Sequence, residues 1–312
     1  MAKTFTIKDS FEHELQGYLW ESKQANIKGV IQIVHGAGEH VGRYDYFAKK
    51  CNQEGYHVVG NDLLGHGLSE SKEDRIFFAN KDGYLEVYDG IKSTRDWIHG
   101  TYPELKVHLF GHSMGSLFGR FTMIQDSDRY ESATFTGSGF FSIPALRLGQ
   151  ILAWFIATFK GKEHISMFFN HKVNEGHIRK MMNSGLIDRK VDWLSQDVRI
   201  VNQFINDPLC GKEFTIQAQR DLMKLITEIQ IKTRLSKGAT STPIMLMSGD
   251  LDGLGDFGKG IKKLVDCMLE AGYSNISYKI LNDCRHEVVN EIEKDSYIAH
   301  ILNFINKNNK GA

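Results

Sequence analysis

No block of like charge runs through these 312 residues: 38 basic and 38 acidic side chains cancel to a net charge of zero. A basic field of the kind that binds nucleic acid is therefore excluded. The opening Met1-Ala-Lys-Thr-Phe-Thr-Ile-Lys-Asp-Ser10 lacks the apolar core of a signal peptide, so secretion by that route is not expected. Only four cysteines are present, Cys51, Cys210, Cys267 and Cys284, with no Cys-x-x-Cys pair and no metal-ligand spacing. Such scattered thiols are expected to be reduced, in a cytoplasm, without a metal or cofactor. Repeats and low-complexity tracts are missing too. One long apolar run exists, Gly139 to Phe159, but Pro144, Arg147 and Gln150 interrupt it. It reads as a helix that is buried or lines a greasy cavity, and it admits a transient contact with a membrane surface.

What is present is an alternation. Strand-like Gly29 to His35 leads to helical Tyr44 to Asn52, then strand Tyr56 to Gly60. Helical periodicity covers Tyr84 to His99, with Leu85, Tyr88, Ile91 and Trp97 expected inward. Strand Val107 to Phe110, helix Met114 to Gln125 and strand Ser132 to Thr136 follow. Strands alternating with helices predict an α/β fold, a mostly parallel sheet covered on both faces. Past about Gly139 the pattern breaks. Residues 140–237 contain no convincing strand but several helical faces, such as Leu222, Leu225, Ile226 and Ile229. Alternation resumes with strand Pro243 to Met247, helix Gly260 to Leu269, strand Ile276 to Ile280 and helix Glu291 to Ile305. The chain thus divides into a core, residues 1–139 and 238–312, and a helical lid, residues 140–237, too small to hold a core of its own.

In such a sheet the ligand site lies at the carboxyl ends of the strands. The third of these strands ends in Gly111-His-Ser-Met-Gly115. A strand that turns into a helix at Gly-x-Ser-x-Gly holds its serine exposed on a strained bend, which makes Ser113 a candidate nucleophile. A serine hydroxyl needs a base. His286, in the loop before the last helix, is the candidate; His112 is expected to point away, and His300 to be structural. An acid must orient that histidine, and Asp250, Asp252 and Asp256 all follow the appropriate strand. The oxyanion needs two N–H donors. Met114, next to the nucleophile, supplies one, and Ala37, between Gly36 and Gly38, is the expected second. Serine, acid and histidine follow three strands in the order of an α/β-hydrolase.

At this point the chain resembles a known family. His35-Gly-Ala-Gly-Glu-His40 with Arg43-Tyr44, Asp62-x-x-Gly-His-Gly-x-Ser69, Gly111-His-Ser-Met-Gly115, Gly249-x-x-Asp252 and His286-Glu-Val-Val-Asn-Glu291 look like the monoacylglycerol lipase and lysophospholipase group of α/β-hydrolases, often labelled with serine aminopeptidases. Asp192-Trp-Leu-Ser-x-Asp197 and Asn206-Asp-Pro-Leu-Cys210 look like its bacterial members. The resemblance implies Asp252 as the acid, Ala37 and Met114 as oxyanion donors, and Glu39 and Arg43 near the polar end of the substrate site. It departs where mammalian-type lipases carry a second histidine three residues after the first; this chain has Val289. The expected substrate is a small acyl ester, of acylglycerol or lysophospholipid type, cleaved through an acyl-enzyme on Ser113. A peptidase using Glu39 to hold an α-amino group, and a non-catalytic binding protein, are the alternatives. Asp62 and His66 are expected to brace a turn, and Cys284 to be a passive thiol. Trp154, Phe155, Phe159, Met167, Phe168 and Phe169 are expected in the core of the lid.

Overall fold

The computed structural model describes residues 2–69, 72 and 74–309, and the side chains of these except 172–174. In chain order the elements are β1 (Lys3–Lys8), β2 (Glu14–Trp20), β3 (Gly29–Val34), α1 (Asp45–Gln53), β4 (Tyr56–Asn61), β5 (Arg75–Ile76), α2 (Gly83–Thr101), β6 (Val107–His112), α3 (Met114–Gln125) and β7 (Ser132–Thr136). There follow α4 (Ile143–Lys160), α5 (Met167–Asn183), α6 (Val198–Asn206), β8 (Glu213–Phe214), α7 (Ile216–Glu228) and α8 (Lys232–Leu235). The chain closes with β9 (Ile244–Gly249), α9 (Lys259–Glu270), β10 (Ile276–Leu281) and α10 (Lys294–Asn308).

Eight strands form one sheet in the order β1-β2-β4-β3-β6-β7-β9-β10. The β1–β2 hairpin is antiparallel and attaches antiparallel to β4; the other pairings are parallel. The sheet is mostly parallel and doubly covered, as the alternation predicts. Along β3, Val30 and Val34 face one core with α2, α3 and α9, while Ile31 and Ile33 face the other with α1 and α10. The period-two alternation of strand side chains thus feeds both faces. The hairpin β1–β2 is an addition to the sequence reading; its alternating Phe5, Ile7, Leu15 and Leu19 carry the signal.

One inward assignment and one helix boundary change. In α2 the buried stripe is Val87, Ile91 and Ile98, whereas Leu85 is exposed. Leu85 stands two residues, about 200° of helix turn, from Val87. The last helix starts at Lys294, not Glu291, because Val288–Asn290 form a 3₁₀ turn.

Between β7 and β9 the chain runs through α4 to α8, with the two-residue β8 pairing to β5 outside the main sheet. Here the apolar run departs from expectation. Helix α4 packs on α7 through Leu146, Gly149, Gln150 and Ala153, and Gln150 Nε2 donates to Met223 O (3.1 Å) and Thr227 Oγ1 (3.0 Å). Its other face carries Leu148, Ile151, Leu152, Phe155 and Phe159, all exposed, with Trp154 beside them. Met167 and Phe168 of α5 are exposed too; of the six expected core residues only Phe169 is buried. A helix apolar all round needs cover on two sides, and α4 has one. Among the described residues no helix is long and apolar enough to cross a membrane.

Parallel register decides where the chemistry gathers. Val34 pairs with Gly111, His112 with Thr136, Thr136 with Met247 and Gly249 with Leu281. The segments after β3, β6, β9 and β10 therefore emerge side by side at one edge of the sheet.

Candidate active site

Ser113 ends β6 and begins α3 with φ 52° and ψ −118°, a conformation that costs a non-glycine residue about 1–3 kcal/mol. Its surroundings hold it there: Ser113 N donates to Thr136 O (2.9 Å), and Ser113 O accepts from Ser116 N (2.9 Å) and Ser116 Oγ (2.6 Å). The flanking glycines are dictated by space. A Cβ on Gly115 would lie 2.0 Å from Val34 O, and one on Gly111 2.5 Å from Gly115 O. Backbone cannot retreat from either.

Of the three candidate acids, Asp252 reaches His286: its Oδ2 lies 3.0 Å from His286 Nδ1, and both side chains are buried. Asp252 Oδ1 accepts from Leu254 N at 3.0 Å. Burial would raise the Asp252 carboxyl, but the charge and hydrogen bond of His286 outweigh it and hold the carboxyl below its ordinary value. Asp256 is tied instead to Lys180 Nζ (3.2 Å), and Asp250 Oδ1 faces Cys284 N (3.4 Å). Nε2 of His286 has no hydrogen-bond partner among the described residues. The His286 ring lies 4.8 Å from that of His112 and 4.5 Å from that of Trp193, which in turn touches His177 of α5 at 4.8 Å. His112 donates to or accepts from Thr136 Oγ1 (3.0 Å), and burial, then His286, lowers it to about 4. It stands beside His286 as a neutral ring.

The loop after β3 is braced from two sides. His35 Nε2 accepts from Leu63 N (2.8 Å), so its Nδ1–H donates to Gly36 O (2.8 Å). In a trans peptide N–H points opposite to C=O, so this bond turns Ala37 N–H away from His35. Gly36 N donates to Glu39 Oε1 (2.6 Å). The N–H groups of Ala37 and Met114 have no protein acceptor among the described residues; Met114, first in its helix, has no intrahelical partner either.

Glu39 and Arg43 lie within this brace. Glu39 Oε1 also accepts from Tyr44 OH (2.7 Å), and its Oε2 pairs with Arg43. Arg43 forks onto both oxygens of Glu287, the residue after His286. Asp62 accepts from Val41 N and Leu68 N, both at 2.9 Å, and the His66 ring packs on His35 at 5.3 Å; both act as turn braces. Arg285 grips the helical segment through Leu186 O (2.6 Å), Asp192 O (2.8 Å) and Ser195 O (3.1 Å). Sequence reasoning assigned no role to His35, Glu287, Trp193 or Arg285. Each adjoins or lies in a quoted motif, and that adjacency was the available signal.

Comparison with known proteins bears on this geometry. The family model described as serine aminopeptidase, S33 (Hydrolase_4), matches residues 25–293. "Phospholipase YtpA" of Bacillus subtilis is 26% identical over 279 residues, covering 89% of this chain and 95% of that protein. "Monoglyceride lipase" of Rattus norvegicus is 25% identical over 285 residues, covering 88% and 83%. Among solved structures, a thermostable carboxyl esterase from Bacillus coagulans in complex with glycerol superposes with a TM-score of 0.87 at 20% identity, covering 99% of each chain.

Proposed function

The chain belongs to the Hydrolase_4 family, serine aminopeptidase S33, and on that premise we propose that it is a serine hydrolase cleaving carboxylic esters of acylglycerol or lysophospholipid type. The observation that carries the reading is the buried His286–Asp252 pair, 3.0 Å long, with the outer nitrogen of His286 unpartnered among the described residues and the strained Ser113 on the same edge of the sheet. Ser113 Oγ attacks the ester carbonyl while His286 Nε2 takes its proton. Asp252 fixes the imidazole and stabilises its cation. The N–H groups of Ala37 and Met114 receive the oxyanion. His286 then protonates the leaving alcohol, and water releases the acid by the same route. Every step uses groups of the chain itself. The names of the two lipolytic relatives support a lipid ester.

The peptidase reading needs a free carboxylate for an α-amino group. Glu39 is already engaged by Gly36 N, Tyr44 and Arg43, which favours the ester reading. A side-by-side assay of amino-acyl arylamides and p-nitrophenyl acyl esters tests it, with Ser113→Ala as control. The ester rate is expected to dominate and to fall on the order of 10⁶-fold in the variant. Retained activity in Ser113→Ala, or failure to label with a fluorophosphonate, would overturn the proposal.

Residues 140–237 act in this reading as a lid whose exposed apolar face, Leu148, Ile151, Leu152, Phe155 and Phe159 of α4 with Met167 of α5, rests on a lipid surface. An exposed apolar stripe beside Arg147, Lys160 and Lys162 has the make-up of an interfacial helix.

A further inference from the structure

Away from Ser113, three ligand-bearing side chains meet where the oxyanion loop touches the helical segment. His40 ends that loop, and Asp207 and Cys210 follow α6. One ligand atom from each lies within 4.8 Å of the others. His40 Nε2 and Asp207 Oδ2 are 2.9 Å apart across 167 residues of sequence, so no local spacing announces the cluster. Nδ1 of His40 is buried without a hydrogen-bond partner among the described residues.

We propose that His40, Asp207 and Cys210 form a site for a thiophilic divalent cation of the zinc type, which ties the helical segment to the oxyanion loop. Imidazole, thiolate and carboxylate together make a zinc donor set. Tetrahedral zinc, with ligands at about 2.0–2.3 Å, holds donor atoms about 3.3–3.8 Å apart, so the 2.9 Å His40–Asp207 contact must open slightly while the wider contacts, all within 4.8 Å, close. Asp207 and Cys210 move as one unit, because Cys210 N donates to Asp207 O (3.0 Å) and Leu209 N to Asp207 Oδ1 (2.9 Å). The adjustment is thus a small rotation of one turn against His40. The turn already rests on the loop through Gly211 N to Gly38 O, 2.8 Å.

Charges of both signs reach Cys210, that of Arg43 most strongly. The carboxylates of Asp207, Glu39 and Glu287 act on Cys210, opposed by Arg43 alone among the named groups, and Arg43 is itself bound to two of the three. A cavity of about 1020 Å³ lined by His40, Asn206 and Asp207 leaves room for water as fourth ligand. Burial pushes the Cys210 thiol up to about 12. The ion must therefore expel that proton to water, and affinity rises with pH by one proton per ion.

The site is independent of the hydrolase reading and is tested without substrate. The full chain, stripped with chelator, is titrated with Co²⁺ and then Zn²⁺. One equivalent of Co²⁺ should give a thiolate-to-metal absorption band that Zn²⁺ abolishes. Cys210→Ser should lose the band and weaken binding more than about 100-fold, while Cys267→Ser keeps both. Absence of the band, or its survival in Cys210→Ser, overturns the proposal. Should Cys210→Ser fail to fold, Asp207→Asn decides: unchanged affinity refutes the site, and weakened affinity supports it.

Discussion

Arg43 and Glu287 meet in a fork, Nη1 to Oε1 and Nη2 to Oε2 each at 2.8 Å. One stands next to the oxyanion loop and the other directly follows His286, so this pair joins the two halves of the proposed machinery. With the Arg43 side chain 9% and that of Glu287 3% exposed, removing the cation strands Glu39 and Glu287 facing each other in the interior. Arg43→Met should lower unfolding stability by about 3–5 kcal/mol in urea. Arg43→Lys keeps the charge but not the planar fork and should lose less stability while still lowering kcat. Equal stability of wild type and Arg43→Met would remove the pair from the structural account.

Three aspartates follow β9 closely enough to serve His286, and geometry separates them. Asp252→Asn should lower kcat on the order of 10⁴-fold, because an amide at that place favours the wrong imidazole tautomer. Asp250→Asn and Asp256→Asn, whose carboxylates point to Cys284 N and Lys180, should stay within a few-fold of wild type. Steady-state kinetics on one soluble ester ranks all three. A larger loss in either of the other two would reassign the acid.

What could be read beforehand follows from where the governing contacts lie. Met114 to Gln125 and Ser132 to Thr136 have the bounds that periodicity predicts, because a buried strand–turn–helix leaves its whole signal in local pattern. The glycines around Ser113 were legible for the same reason, each meeting backbone within a few residues or one strand away. The α4 run was misjudged because hydrophobicity says that a face wants cover, not whether the fold supplies it. Leu85 was misjudged by two residues of phase. The braces on the site were hidden for a different reason. Arg43 and Glu287 are 244 residues apart, and the run of parallel strands from β3 through β6, β7 and β9 to β10 brings their loops to one edge of the sheet.

The exposed apolar face of α4 and α5 predicts a difference between dissolved and interfacial substrate. Phe159 and Leu148 are 82% and 59% exposed, so Phe159→Ser with Leu148→Ser should leave the thermal midpoint nearly unchanged. Burying a phenylalanine or leucine in an apolar phase is worth about 1.5–3 kcal/mol, so losing both should weaken vesicle binding at least tenfold. Co-sedimentation with phospholipid vesicles measures the binding. Hydrolysis of a vesicle-borne ester should fall further than hydrolysis of a dissolved short-chain ester. Equal losses on both substrates would argue that these side chains line the acyl site instead.

Five histidines that burial lowers furthest set an acid limit on the fold. Burial is the first cause in each: it lowers His35 and His66 to about 3, and His108, His112 and His177 to about 4. Below about 6.5 the unfolded chain takes up protons that the folded chain refuses. Stability is therefore complete above that pH and is lost as pH falls toward 4, by about 1.4 kcal/mol per pH unit for each histidine. Asp221, which burial pushes up to about 6, acts in the opposite sense, as do Asp62, Glu86 and Glu291 in direction. They offset part of the slope. Carboxyls held low, such as Asp197 near 2, matter only below their ordinary range, so in the interval from pH 6.5 to 5 the histidines are opposed chiefly by Asp221. Urea unfolding at half-unit steps should show stability falling across that interval. His108→Gln, whose partner is the Ser132 hydroxyl at 2.8 Å, should flatten the slope by one histidine's share. A flat profile between pH 7 and 5 would mean that these rings are charged in the fold, and the neutral His112 beside His286 would have to be given up.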